Sequence, residues 1–488
     1  MGLIFTIFLG VGSFIFYQER MLFTDPAYIT FEIIQTGWFS FEEHRYGAWV
    51  TQIFPLIGSK LGISLKSILI LYSMSFYLFY LTIIYVSGHV LKQYAYALLF
   101  CLYLALMVSD VYFWPNNEIH QAVAWMTLFF SLWGWTSAKV SGSFGQEKQG
   151  PLPQTSESKV SEPLDFSKPK HTPLWMHGLL IGSLFFTIIS HLLVIIPLGF
   201  LWIYTNIDFV RRYKKLDKKM IFYGILMLIG IGIRYWLSSD SSYDGYKLEG
   251  VKSISLKSLI DAPTNAQGIS FLKLLLNRYW SLLIVASIGV YQLISTKQFL
   301  KLSFVFLTSM VFYLLVTLTF YVAITPSNLF YSESQWMVLS IVLAVPFVMD
   351  FLSRLNSNYA LIVMILLFIF QVPKFYQGYQ TFNNRLESLK SLTEIANQQS
   401  INKGYISETE LDKNTFLLTW ALPIETLLLS QIDDRFETLT IKNDGKIKQI
   451  TTATDLLHMP YQLMKSEWLN QQYFILDGGK YERVSLTK

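Results

Sequence analysis

Long apolar runs recur along this chain with only short polar connections between them, and that pattern leaves few ways to fold. A helix needs about 17 to 25 apolar residues to cross hydrocarbon, and runs near that length lie at 2–17, 66–87, 93–113, 119–137, 220–237, 274–295, 301–324, 336–353 and 357–372. In lipid every backbone N–H and C=O must find a partner within the protein, so such runs fold as helices. Composition agrees: 52% of residues are hydrophobic, 15% are charged and mean hydropathy is +0.39, outside the balance of a soluble domain. The expected fold class is an all-α polytopic membrane protein.

The stretch 174–205 is too long for one span. Broken at Ser190–His191 it makes a hairpin of two short helices, which brings the total to about eleven membrane segments. The hairpin also keeps Arg211, Arg212, Lys214, Lys215, Lys218 and Lys219 on the same side as the other basic loops, as the positive-inside rule requires. The N-terminus is then inside a cytoplasmic (inner) membrane. The Ser-, Pro-, Lys- and Glu-rich linker 139–173 is cytoplasmic and disordered. Outside lie the first loop, 19–64, the Trp114–Glu118 turn, the Ser238–Ser270 loop and everything beyond about 373. The expected division is a membrane domain over 1–372 and a small extracytoplasmic α+β domain over 373–488. Met1–Phe5 lacks the basic region of a signal peptide and reads as a retained first helix. The net charge of +5 comes from short loops between spans, so nucleic acid is excluded as a partner, and the one cysteine, Cys101, excludes disulfides and a thiolate metal site.

The 19–64 loop is dense in acidic, basic and aromatic residues. Ionised carboxylates cannot sit unpaired in hydrocarbon, so this segment belongs at the membrane surface, where chemistry is expected. In Asp25–Pro26–Ala27–Tyr28 an aspartate stands before a proline. That is a helix-start signal with Asp25 as the N-cap, and it also fits an active carboxylate. Glu32, seven residues on, shares its helical face. Glu118 opens the fourth helix, either as a favourable acid in a first turn or as a second carboxylate facing Asp25. Glu42–Glu43–His44–Arg45 and His120 suggest a metal, but they lack ligand spacing and read as a solvated loop. No metal ligand is assigned, and a divalent cation is the one cofactor left open. His191 lies at the hairpin break inside the apolar phase, where polar groups face a cavity. Arg234, Lys273 and Arg278 fall at the outer ends of helices, placed either as snorkelling anchors or as a clamp for a lipid phosphate.

The order of these elements over residues 1–205 resembles the GT-C superfamily of polytopic glycosyltransferases, among them the protein mannosyltransferases and the aminoarabinose transferases of lipid A. Asp25–Pro26–Ala27–Tyr28 is similar to the Asp-Glu-x-x-Tyr-like stretch after the family's first helix. Glu43–His44–Arg45–Tyr46 through Phe54–Pro55 and on to Ser64 is similar to the stretch before its second helix. Glu118 matches the second acidic position, and Leu184–Leu198 looks like the paired short helices with a polar joint. Pro26 stands where the family has a second acid, and Ser190–His191 where a lysine is usual.

The resemblance implies an inverting transferase that moves a sugar from a polyprenyl-phosphate donor to an acceptor on the outer face of the membrane. Asp25 is then the general base and Glu118 positions the acceptor, while Glu43, His44, Arg45, His191, Arg234, Lys273 and Arg278 bind substrate. The implied partners are the lipid-linked donor, membrane lipids and a glycan, lipid or protein acceptor. Two rivals remain, a lipid-linked polysaccharide polymerase or ligase and a transporter without chemistry. The first uses Arg and His in a late outer loop, whereas Ser238–Ser270 offers only Lys247, Lys252 and Lys257. The second favours charges at helix centres, whereas here they cluster at helix ends.

Overall fold

The computed structural model describes residues 1–115, 118–137, 174–214, 216, 218–239, 242–252, 254–319, 328–433, 436–443, 456–476 and 479–486. The 139–173 linker, Asn116–Asn117 of the turn before Glu118, and 320–327, which hold the end of the 301–324 run, lie outside the described residues. The chain is mostly helical. Among the described residues five helices are long and apolar enough to cross a membrane: Leu65–Val90, Leu192–Arg211, Lys218–Ser239, Phe299–Thr319 and Ser357–Gln398. Two bent pairs raise this to seven if each counts as one span, and Gly2–Ile15, Tyr94–Leu106 and Leu174–Ser190 are shorter apolar helices. These are the features of a multi-pass membrane protein. Lys218–Ser239 and Phe299–Thr319 leave large apolar side chains exposed, Leu228 at 71% and Phe306 at 72%, as lipid-facing helices do.

Three expected runs differ from the structure for identifiable reasons. The 93–113 run is helical only over Tyr94–Leu106, because beyond it Ser109 Oγ and the Asp110 and Val111 N–H groups turn to the Glu333 carboxylate, at 2.6, 2.7 and 2.9 Å. The 274–295 run breaks by 86° between Ala266–Asn277 and Trp280–Ser295. There Arg278 is drawn to Asp110 and the Tyr279 hydroxyl donates to Glu333. The 336–353 run bends by 54° where Leu329–Trp336 meets Leu339–Arg354. The first two breaks sit where buried polar groups outbid the helix for hydrogen bonds.

The 174–205 hairpin turns at His191, whose backbone is extended (φ −160°, ψ 136°) and whose Nδ1 accepts from Leu193 N at 3.1 Å. Phe186, on the first arm, packs on Trp125, and Trp202, on the second, returns to Trp133. Both partners belong to Glu118–Ser137, so the arms run along one neighbour in opposite senses. The first arm, Leu174–Ser190, is the short helix expected, and the second, Ile195–Tyr213, runs eight residues past the expected end at 205.

Past Ile369 the chain continues almost directly into Val372–Gln398, which carries it into the C-terminal unit. That unit holds a parallel three-stranded sheet, β1 (Lys403–Ile406) between β2 (Thr440–Asn443) and β5 (Glu482–Arg483), with helix Leu422–Ile432 as the β1-to-β2 crossover. A separate antiparallel hairpin pairs β3 (Leu456–Met459) with β4 (Gln462–Lys465). Phe436–Ile441 is a strand only at its end, and Thr415–Trp420 forms none, its Thr415 turning instead onto Asp412.

Two buried ionic knots hold the bundle. At one end Lys301 bridges Asp208 (2.7 Å) and Asp350 (3.0 Å), and Asp350 also accepts from the Tyr204 hydroxyl at 2.6 Å. At the other, Glu333, wholly buried, gathers Ser109, Asp110, Val111 and Tyr279. Gly378 makes that approach possible, since a Cβ there would sit 2.7 Å from the Ser109 carbonyl oxygen. Removing the acceptor strands several buried donors. Glu333→Ala is therefore expected to lower stability by about 3 kcal/mol, and Glu333→Gln by less, read as thermal unfolding in detergent.

Candidate active site

Asp25 lies in the first turn of Thr24–Thr36, which Gly37 closes in the left-handed conformation (φ 64°). It is not the cap expected from Asp-Pro: Phe23 holds the N-cap position, and Asp25 is already helical. Its carboxylate Oδ2 accepts from Trp114 Nε1 at 2.7 Å. Trp114 is fixed by edge contacts to Phe23 and Phe330 and by stacking on Tyr331, at the end of the loop that Glu333 pins. The Thr24 N–H, the first of the helix's free N–H groups, donates to Glu425 Oε1 at 2.7 Å, 401 residues away. Glu425 is fully buried and its other oxygen accepts from Arg385 at 2.9 Å. Thr24 is held at φ 28°, a left-handed value that costs energy for a β-branched residue. The C-terminal unit thus fixes the residue that precedes Asp25.

Glu118, at the start of its helix and 8% exposed, accepts from Arg45 Nη1 at 2.8 Å. Arg45 Nη2 reaches Asp244 Oδ1 at 3.1 Å, and Arg234 Nη2 donates to Asp244 Oδ2 at 2.6 Å. Arg234, 1% exposed, also donates to the Glu43 carbonyl oxygen at 3.0 Å. These bonds form an alternating ladder, Glu118–Arg45–Asp244–Arg234, drawn from four separate segments. The loop pays for it in strain, because Glu43 (φ 52°) and His44 (φ 58°) are both left-handed. His44 stays outside the ladder, its Nδ1 3.2 Å from the Tyr46 hydroxyl. Gly47 follows, packed so tightly on Ser190 that no Cβ fits, which brings the His191 turn alongside the loop.

Burial first, and then the Glu118 charge, push the Asp25 carboxyl up to about 7, against the pull of the Trp114 N–H and Arg45 and with a smaller upward push from Glu42. A carboxylate that exchanges its proton near neutral pH beside a fixed ladder of charges can act as a general base.

Of the residues singled out in the sequence, Asp25, Glu118, Glu43, Arg45 and Arg234 come together, with His44 and His191 beside them. Arg278 belongs to the Asp110–Glu333 knot, where it also donates to Gln377 at 3.2 Å. Lys273 is exposed on Ala266–Asn277, and among the described residues no bond joins it to the Asp25 group. His120 is buried beneath the site, 2.8 Å from the Tyr103 hydroxyl. Among the described residues no three His, Cys, Asp or Glu side chains meet in a way that could hold a metal. Asp244, Trp114 and the Arg385–Glu425 pair had not been singled out. Asp244 lies in the first turn of helix Ser242–Lys252, in the segment expected to be an outer loop, and an acid ten residues past Arg234 was the available signal. Nothing local marks Glu425 as a partner of Thr24. Comparison with known proteins finds no match: no family model, no curated protein and no solved structure is similar to the chain.

The raised carboxyl has a stability consequence. The folded protein holds the Asp25 proton more tightly than the unfolded chain, so this contribution is complete below about pH 4 and is lost as pH rises through about 7. Asp25→Asn is expected to raise stability at pH 8 by roughly 1 kcal/mol after solvent screening, the gain shrinking as pH falls and vanishing below about pH 4, in paired thermal melts.

Proposed function

We propose that this protein is an inverting membrane glycosyltransferase that uses a polyprenyl-phosphate sugar, with Asp25 as its general base. The observation that carries the reading is a carboxylate poised near neutral pH at one end of an apolar bundle, next to paired arginines. In the reaction the acceptor hydroxyl gives its proton to Asp25 while its oxygen forms a bond to the anomeric carbon. The bond from that carbon to the phosphate oxygen breaks, its electron pair goes to the phosphate, and polyprenyl phosphate remains in the membrane. Attack from the face opposite the leaving group inverts the centre.

Glu118 is fixed by Arg45 and would orient the acceptor. Arg234 and Arg45 would share their charge with the departing phosphate, since guanidinium forks match its geometry. Lys218–Ser239 supports this placement: it carries Arg234 at one end and exposes Ile225, Leu228 and Ile229 below, a surface along which a prenyl chain can lie. Counting the shorter apolar helices with the longer ones, we place about eleven passes, with the site and the C-terminal unit at one, outer face of a cytoplasmic membrane.

Two outcomes are expected. With radiolabelled polyprenyl-phosphate sugars in nanodiscs, Asp25→Asn lowers release of polyprenyl phosphate by about 10²- to 10⁴-fold with the protein still folded; equal turnover in both proteins would remove Asp25 as the base. In wild type, kcat/KM falls as pH drops below about 7, because the base must be unprotonated, and a flat profile from pH 5 to 8 would count against it.

A further inference from the structure

Three aromatic rings from different parts of the chain meet beside Asp25. Tyr28, one turn along the same helix, lies 5.8 Å from Trp420 and 5.9 Å from Tyr461, and Trp420 and Tyr461 are 5.5 Å apart between ring centroids. Two of the three come from the C-terminal unit. Tyr461 is the odd member. It remains 82% exposed despite both contacts, and it occupies the second position of the Pro460–Tyr461 turn between β3 and β4 with φ 61°. That position, after a proline, favours glycine or asparagine. A bulky ring there is strained and gains little burial, so its own folding does not explain it.

The surroundings are polar. Gln462 Nε2, next in the chain, is 3.4 Å from Glu32 Oε1 on the face shared with Asp25. The Tyr461 hydroxyl is raised from its ordinary value first by partial desolvation and then by the charges of Asp25, Glu42 and Glu43, so it lies within electrostatic reach of the base. An exposed aromatic face rimmed by carboxylate and amide groups suits a ligand with an apolar face and a hydroxyl edge.

We infer that Tyr461, with Trp420 and Tyr28, is the stacking platform for a sugar ring of the acceptor, so that the acceptor is a glycan or glycoconjugate whose attacking hydroxyl is presented to Asp25. The inference rests on the transferase reading and gives it a substrate class: the C–H face of the ring lies on Tyr461 and Trp420, and its hydroxyls meet Glu32 and Gln462.

The test is retention of the full-length protein in nanodiscs on an immobilised panel of hexose-, N-acetylhexosamine- and pentose-terminated glycans. Wild type is expected to bind at least one class. Tyr461→Gly and Trp420→Ala should each weaken that binding roughly tenfold, Tyr461→Phe should keep it, and Asp25→Asn should bind as wild type does. Tyr461→Gly is also expected to keep or raise the melting temperature, because glycine relieves the turn, so a loss of binding cannot be put down to misfolding. No retention of wild type by any class, or equal retention of wild type and Tyr461→Gly, would overturn the platform. Retention lost in Tyr461→Gly while Asp25→Asn still turns over donor would uphold the platform and reject Asp25 as the base, which separates the two readings.

Discussion

Arg45 stands between two carboxylates, and the shape of the site follows from that placement. A guanidinium at the edge of an apolar bundle must be paired. Here one fork reaches Glu118 at the mouth of a membrane helix and the other reaches Asp244 in a distant segment. Asp244 in turn neutralises Arg234, and Arg234 takes the Glu43 carbonyl. Three parts of the chain, the first loop at 43–45, the helix start at Glu118 and the adjoining helices that hold Arg234 and Asp244, are thereby tied together, and the left-handed Glu43 and His44 show that the loop is bent to meet this demand. Asp25 is left as the carboxylate whose main partner is neutral, a tryptophan N–H. Its proton affinity is high because burial strips it of water and the Glu118 charge repels its own, more than the Trp114 N–H and Arg45 offset.

Much of this arrangement could be read from the amino acids, and the rest could not for definite reasons. Apolar runs announce helices because lipid leaves the backbone no alternative, and the 174–205 break at Ser190–His191 was visible as polar groups in an apolar phase. Asp25, Glu118, Arg45 and Arg234 stood out because charge next to a span is costly. The Asp-Pro start was misleading: as a pattern it signals a cap, but the helix begins one residue earlier, where Glu425 accepts from the Thr24 N–H, and Trp114 donates to the Asp25 carboxylate. The breaks at Ser109–Asp110 and Arg278–Tyr279 are set by Glu333, more than 50 residues from either, and hydrophobicity along the chain carries no trace of such a partner. Arg278 looked like an anchor at a helix end and is in fact part of that knot.

The C-terminal unit is built into the site. Glu425 holds Thr24, Asn470 donates to the Ile34 carbonyl oxygen at 2.8 Å, and the Tyr473 hydroxyl reaches the Ser59 carbonyl oxygen at 3.2 Å. These bonds run the length of Thr24–Thr36 and on to the end of Trp49–Lys60, so the first loop is sandwiched between bundle and C-terminal unit.

The helical rod Ser357–Gln398 gives this arrangement a mechanical aspect. Its 42 residues span about 60 Å, roughly twice the thickness of hydrocarbon. Its apolar first part is about the length of a membrane span, and its polar remainder carries the sheet and crossover helix of the C-terminal unit. One helical element thus joins a membrane-length segment to the unit that holds Thr24, so a tilt of the first is passed on to the second.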